Sequence, residues 1–132
     1  MILRLAVLCE DARERPDGRL DLVGVFNELS APGFPALQES MTFVLIVEWG
    51  ADESGEQPIR ADLVDAGGRK LLTIQGHTQV DARPAERAPA QTRLLMPLRK
   101  VIFPRPGRYR FDVVAGSDVA EACTFFVGEV AS

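Results

Sequence analysis

The sequence predicts an all-β fold, a two-sheet antiparallel β-sandwich of about seven or eight strands. The first observation is the strict alternation of apolar and polar residues after the turn at 106–107, which places Tyr109 and Phe111 on one face of a strand. The second is that similar apolar runs, separated by turn signals, recur along the chain. The third is that 46% of the 132 residues are hydrophobic, which is enough for a single domain over residues 1–132 to build a two-layer core.

Eight strand candidates follow from these runs in chain order. They span residues 2–9, 19–27, 41–49, 59–65, 70–79, 92–103, 108–114 and 123–127. Strong turn signals separate several of them, including Asp17-Gly18 and Gly67-Gly68. The long segments 10–17, 30–39 and 81–90 are predicted as loops, the last of them an irregular crossover.

Two of the candidates indicate their own place in a sheet. The 41–49 strand carries apolar residues on both faces, which is typical of a central strand or of one covered by a further layer. The 92–103 strand contains Pro97, which has no backbone N–H to donate to a neighbouring strand. We therefore expect this strand to be bulged or to lie at the edge of its sheet.

Parts of the chain resemble a family of small uncharacterised bacterial proteins. Leu8-Cys9-Glu10-Asp11 ends a strand in an acidic pair, and residues 18–26 (GRLDLVGVF) match the family's G-x-L-x-L-x-G-v-F strand. Phe34 lies at the centre of the Pro-containing loop that follows. Residues 106–111 (PGRYRF) are similar to the penultimate strand of bacterial immunoglobulin-like sandwiches. The resemblance implies an immunoglobulin-like sandwich, and it implies no catalytic residue because the family has no assigned activity.

Within this resemblance, Tyr109 has an expected structural role. Immunoglobulin-like domains often carry a Tyr near the start of this strand, whose hydroxyl bonds back to the preceding loop. The position two residues later, a Cys in antibody domains, is Phe111 here. We therefore expect a tyrosine corner without a disulfide-pinned core.

Charge and hydropathy exclude several classes of partner. A formal net charge of −4 argues against a general nucleic-acid or anionic-membrane binder, because both need a clustered basic surface. No apolar run approaches the roughly 18 residues of a membrane span. The apolar start lacks a basic leader region and runs into Glu10-Asp11, so we expect a cytoplasmic protein whose two cysteines stay reduced.

The residues that carry chemistry are sparse, so we expect no enzyme and no cofactor. His77 is the single His, whereas zinc sites need three or four Cys or His ligands at short spacing. Cys9 and Cys123 each share a face with apolar residues, which is typical of buried cysteines. The two could be in contact if the first and last strands are neighbours, and the Ser residues lack a nucleophile motif.

Acidic loops suggest an alternative function in ligand or calcium binding. Glu10, Asp11 and Asp17 lie in one loop, and Asp52 and Glu53 lie in another. Loops at one end of a sandwich can gather carboxylate oxygens around a calcium ion. The first loop also contains Arg residues, however, and interleaved charges are typical of a solvated loop.

Apolar residues outside the expected core favour a different function. Val44 and Ile46 fall on the expected outer face of the 41–49 strand, and Phe34 lies in a Pro-flanked loop. Such residues can contact another subunit, although Phe34 can also fold back over the end of the sandwich. We therefore expect a non-enzymatic interaction or assembly module that self-associates, or binds another protein, through a sheet face or an unprotected edge strand.

Overall fold

The computed structural model describes residues 1–130, which form ten β-strands and no helix. The strands are β1 (Ile2–Cys9), β2 (Asp11–Glu14), β3 (Leu20–Val23), β4 (Glu28–Ala31), β5 (Ala36–Glu48), β6 (Gly55–Val64), β7 (Lys70–Val80), β8 (Gln91–Phe103), β9 (Gly107–Ala115) and β10 (Asp118–Glu129). The predicted all-β class is therefore confirmed.

The strands form three sheets. One has three strands in the order β1-β5-β8, one has five in the order β4-β10-β9-β6-β7, and one is the hairpin β2-β3. Every neighbouring pair is antiparallel except β4 with β10, which is parallel. The structure therefore has ten strands in three sheets with one parallel pair, where about seven or eight strands in two antiparallel sheets were expected.

The hairpin β2-β3 lies partly in the segment predicted as a loop. Its backbone pairs from Asp11 opposite Val23 to Glu14 opposite Leu20, and the exposed Arg15 guanidinium donates two hydrogen bonds of 2.8 Å to Asp21. No apolar alternation marks β2 in the sequence. The predicted strand 19–27 also stops early. Gly24 adopts a positive φ of 66°, a conformation that favours glycine and ends the regular pairing.

The short strand β4 escaped prediction for a different reason. It has four residues, and its partner lies far along the chain, with Glu28 opposite Phe126. A pairing between residues so far apart in the chain leaves no local pattern in the sequence. Strand β5 also begins earlier than expected, at Ala36 opposite Phe103 of β8.

Aromatic side chains from the two larger sheets meet in one core. Phe43 of β5 and Phe111 of β9 stack with ring centroids 4.1 Å apart and planes 7° apart. Phe103, Tyr109 and Phe125 pack around them, with Tyr109 edge-on to Phe103 at 4.9 Å. The alternation that predicted Tyr109 and Phe111 on one buried face is confirmed.

Strand β5 is the central strand of its sheet, as its apolar residues predicted, and its second face is covered. Val44 points away from the side chain of Phe43 because side chains alternate, yet it has no exposed surface. Strand β2 approaches β5 and β8. The expectation that Val44 lies on an exposed outer face was wrong, because a further layer covers it, and Ile46 is half-buried.

The predicted tyrosine corner is present. The hydroxyl of Tyr109 donates a 2.5 Å hydrogen bond to the backbone carbonyl of Arg105, four residues earlier. The side chain is otherwise enclosed by the aromatic core. This contact ties the turn before β9 to the inside of the fold.

We expect Tyr109→Phe to lower the free energy of unfolding by about 0.5–1.5 kcal/mol, because it removes one hydrogen bond and keeps the ring in place. Urea denaturation followed by circular dichroism measures the change. A variant as stable as the wild type would show that the corner contributes nothing to stability.

Candidate functional site

Strand β7 is a long sheet edge whose pairing with β6 is regular from Leu72 to Val80, with a register shift between Lys70 and Leu72. It ends the five-stranded sheet, pairing with β6 on one side and with no described strand on the other. Its sequence, KLLTIQGHTQV, has no proline, and its one charged residue, Lys70, is the first. Unpaired N–H and C=O groups on such an edge form a template for another strand.

The other three edge strands of the two larger sheets, β8, β4 and β1, are less suited than β7 to pairing with a further strand. Strand β8 lies at an edge, as Pro97 predicted, and it is interrupted both by that proline and by Lys100 at a φ of 54°. Strand β4 has only four residues. Strand β1 carries Arg4 at a register shift and forms a bridge from Leu8 to Phe26.

An apolar cleft lies beside the inward face of β7. It has a volume of about 230 Å³ and is open between the edges of the two larger sheets. Its apolar lining comes from β6, β7 and β8, namely Ile59, Ala61, Ile74, Leu94 and Met96. An apolar side chain presented along the free edge can therefore be buried in the cleft.

Gly76 lines a hollow on each side of this edge. A second hollow, of about 500 Å³ and lined by Pro58, Arg60 and Val114 among others, lies against the same stretch of β7, and both hollows include Gly76 and His77. A Cβ atom added at Gly76 would meet nothing within 4 Å. Glycine within a strand often marks a close approach of another backbone.

Asp62 anchors β7 to β6 from the outer face. Its carboxylate accepts a 2.7 Å hydrogen bond from Thr73 and lies 3.6 Å from the Lys70 ammonium, both on β7, and 3.1 Å from Arg60. Burial raises the pKa of Asp62, but the Thr73 hydrogen bond and the charges of Lys70 and Arg60 outweigh it, so the pKa lies below its usual value. These contacts tie β7 to β6 on the outer face of the sheet.

The structure does not gather the predicted acidic residues. Glu10 and Asp11 follow the end of β1, whereas Glu53 binds the Met1 amino group at the start of β1, at 3.0 Å. Eight residues of strand separate these ends by about 23 Å. Asp52 lies in the same turn as Glu53.

The loop carboxylates also have partners of their own. Asp17 accepts a 3.0 Å hydrogen bond from the backbone N–H of Arg19, and Asp11 lies 3.4 Å from the Arg13 guanidinium. Over residues 1–130, no three His, Cys, Asp or Glu side chains come together in a group that could hold a metal ion.

The predicted interaction residue Phe34 is half-buried and packs against the core between the sheets. This contact agrees with the alternative in which Phe34 folds back over the end of the fold. Phe34, Val44 and Ile46 are therefore each at least partly enclosed, and none of them lines the cleft beside β7.

His77 and the two cysteines lie on three different strands, β7, β1 and β10. His77 is exposed on β7, as predicted for a solvent-facing strand residue. Cys9 is buried with its Sγ 3.7 Å from the Thr42 carbonyl oxygen, and Cys123 is half-buried on β10. Both are free thiols, and burial raises the pKa of each.

A further cavity, of about 340 Å³, lies at the end of the fold near Trp49 and the 81–90 segment, which is irregular as predicted. Its lining carries both signs of charge, with Glu48 and Glu53 against Arg83 and Arg87. This mixture selects no particular ligand charge.

The chain belongs to a family of unknown function, DUF6941, whose model matches residues 4–128. No curated protein matches the chain significantly. Residues 1–130 contain no helix with the length and apolar character needed to cross a membrane.

Sequence reasoning located β7 but did not single it out as the site. The hydrophobic pattern predicted a strand at 70–79, close to the observed bounds. The signal that could have marked it is Gly76 in the strand interior, together with the absence of proline and of interior charge.

We expect Asp62→Asn to lower the free energy of unfolding at pH 7 by about 1–3 kcal/mol, because the ion pairs to β7 are lost. The folded pKa of Asp62 lies below its unfolded value. Its ionised form therefore stabilises the fold above about pH 4, and this contribution is lost as the pH falls towards the folded pKa. Urea denaturation at pH 7 and pH 3 measures the free energies of unfolding of the wild-type protein and the variant. The difference between these free energies should be smaller at pH 3.

Asp112→Asn is the matched control. Asp112 lies opposite Asp62 on β9, and its more exposed carboxylate has a 2.8 Å ion pair with Arg110. We expect a smaller loss of stability in this variant. If Asp62→Asn lowers the free energy of unfolding by the same amount at pH 7 and pH 3, the proposed anchoring of β7 by Asp62 is contradicted.

Proposed function

We propose that this protein is a non-enzymatic assembly module that self-associates through the free edge of β7. The observation that carries the proposal is an eleven-residue edge that has neither proline nor interior charge and is regular from Leu72 to Val80. Soluble proteins usually blunt such edges with short strands, prolines or inward-pointing charges. The edges formed by β4 and β8 carry such features, whereas β7 has only a register shift at its start.

The cleft beside β7 supports the same function. When an extended segment adds to a sheet edge, backbone hydrogen bonds provide affinity and pockets for alternate side chains provide specificity. The cleft offers a pocket of this kind, lined by Ile74 of the edge strand and by Leu94 and Met96 of the opposite sheet. A different protein presenting an extended apolar strand is the other partner that this surface fits.

We propose further that the fold is an immunoglobulin-like sandwich and that the protein is cytoplasmic. The tyrosine corner at Tyr109 and the aromatic core between the two larger sheets support an immunoglobulin-like sandwich. The free thiols of Cys9 and Cys123 support residence in a reducing cytoplasm.

We expect the wild-type protein to elute as a concentration-dependent dimer in size-exclusion chromatography with light scattering, and Gly76→Lys to shift it towards monomer. The substitution places a charge beside the apolar cleft, and the open space at Gly76 lets the monomer fold. Circular dichroism checks the fold.

Gly128→Lys is the matched control, because Gly128 also lies in a strand with nothing within 4 Å of its added Cβ, but on β10. This variant should dimerise as the wild type does. A wild-type protein that stays monomeric at high concentration, or a Gly76→Lys protein that dimerises normally, would overturn the proposal.

A further inference from the structure

We infer that the strand added to β7 is β7 of a second copy, in the antiparallel register that places Gln75 of both copies on a twofold axis. This inference rests on the proposed self-association and specifies its geometry. It joins the two five-stranded sheets into one continuous sheet across the dimer.

Symmetry limits the possible registers. In a twofold dimer each contact occurs twice, so two residues that face each other have numbers with a constant sum. A continuous sheet must also place inward residues of one copy opposite inward residues of the other. Ile74 and Gly76 are inward, because their partners Ala61 and Ile59 on β6 belong to the core. The sum must therefore be even.

Shape favours the register centred on Gln75. The sum is then 150, so Ile74 of one copy lies opposite Gly76 of the other. Gly76 leaves open space on the inward face beside the cleft, and the Ile74 side chain of the second copy fills that space. The same contact occurs a second time across the axis. Each strand thus supplies both the projecting side chain and the hollow that receives it.

Charge favours the same register. Arg69 directly precedes β7 and Asp81 directly follows it, and their numbers also add to 150. A register shift lies between Lys70 and Leu72, so Arg69 comes to lie beside Val80 and Asp81 of the other copy. A register centred on Gly76 would bring Arg69 beside Ala82 and Arg83, and one centred on Ile74 would bring it beside the uncharged Thr78 and Gln79. Of these three registers, only the one centred on Gln75 brings Arg69 to a residue of opposite charge.

Gln75 provides a direct test because it is exposed and, in this register alone, faces itself. Gln75→Lys and Gln75→Glu should each weaken the dimer about two- to five-fold, since like charges then lie directly opposite each other. Mixing the two variants should restore a Lys–Glu pair. Native mass spectrometry should then find heterodimer in more than the half expected from random exchange, and high salt should reduce the excess.

Gln79→Lys and Gln79→Glu form the matched control pair. Gln79 is exposed on the same face of β7 but lies opposite Leu71 in this register, so mixing these variants should give no excess of heterodimer. If the Gln75 variants dimerise like the wild type and mix at random, the register is wrong while self-association stands. If the wild-type protein is monomeric, the proposed function itself fails.

Discussion

The stacking of Phe43 on Phe111 is the contact on which the arrangement of the two larger sheets depends. The rings lie 4.1 Å apart, and each belongs to an interior strand of its own sheet. From Phe111 the register continues outwards, opposite Leu63 on β6 and then Leu72 on β7. The position of the edge strand therefore follows from a contact made two strands away. Because aromatic pairs combine large buried areas with preferred ring geometry, this core sets the spacing between the sheets.

The free edge and the cleft are two consequences of the same arrangement. The five-stranded sheet has two more strands than the three-stranded one, and the cleft between β7 and β8 is lined by apolar residues of both sheets. On the outer face, the buried carboxylate of Asp62 holds β7 through Thr73 and Lys70. From Leu72 to Val80 the pairing of β7 with β6 is regular, whereas β8 is interrupted. A regular backbone with open apolar space beside it is the combination that strand addition requires.

The local sequence pattern predicted those parts of the fold that depend on residues close together in the chain. Alternation located the buried face of β9, and the missing N–H of Pro97 identified β8 as an edge. Strands β2 and β4 were missed because one has no apolar alternation and the other pairs with a distant parallel strand. The exposure of Val44 was predicted wrongly, since alternation assigns a residue to a face but does not reveal what covers that face. The edge at β7 depends on strand order, which is a property of the whole chain.

Hydrogen–deuterium exchange measured as a function of protein concentration tests the central claim most directly, because it reports on the backbone of β7 itself. In an edge strand, the amides that point away from the sheet are open to solvent, and pairing with another copy protects them. The account predicts that β7 amides exchange more slowly as the concentration rises, while those of β8 do not change. Exchange in β7 that is independent of concentration, or protection that appears at β1 instead, would contradict it.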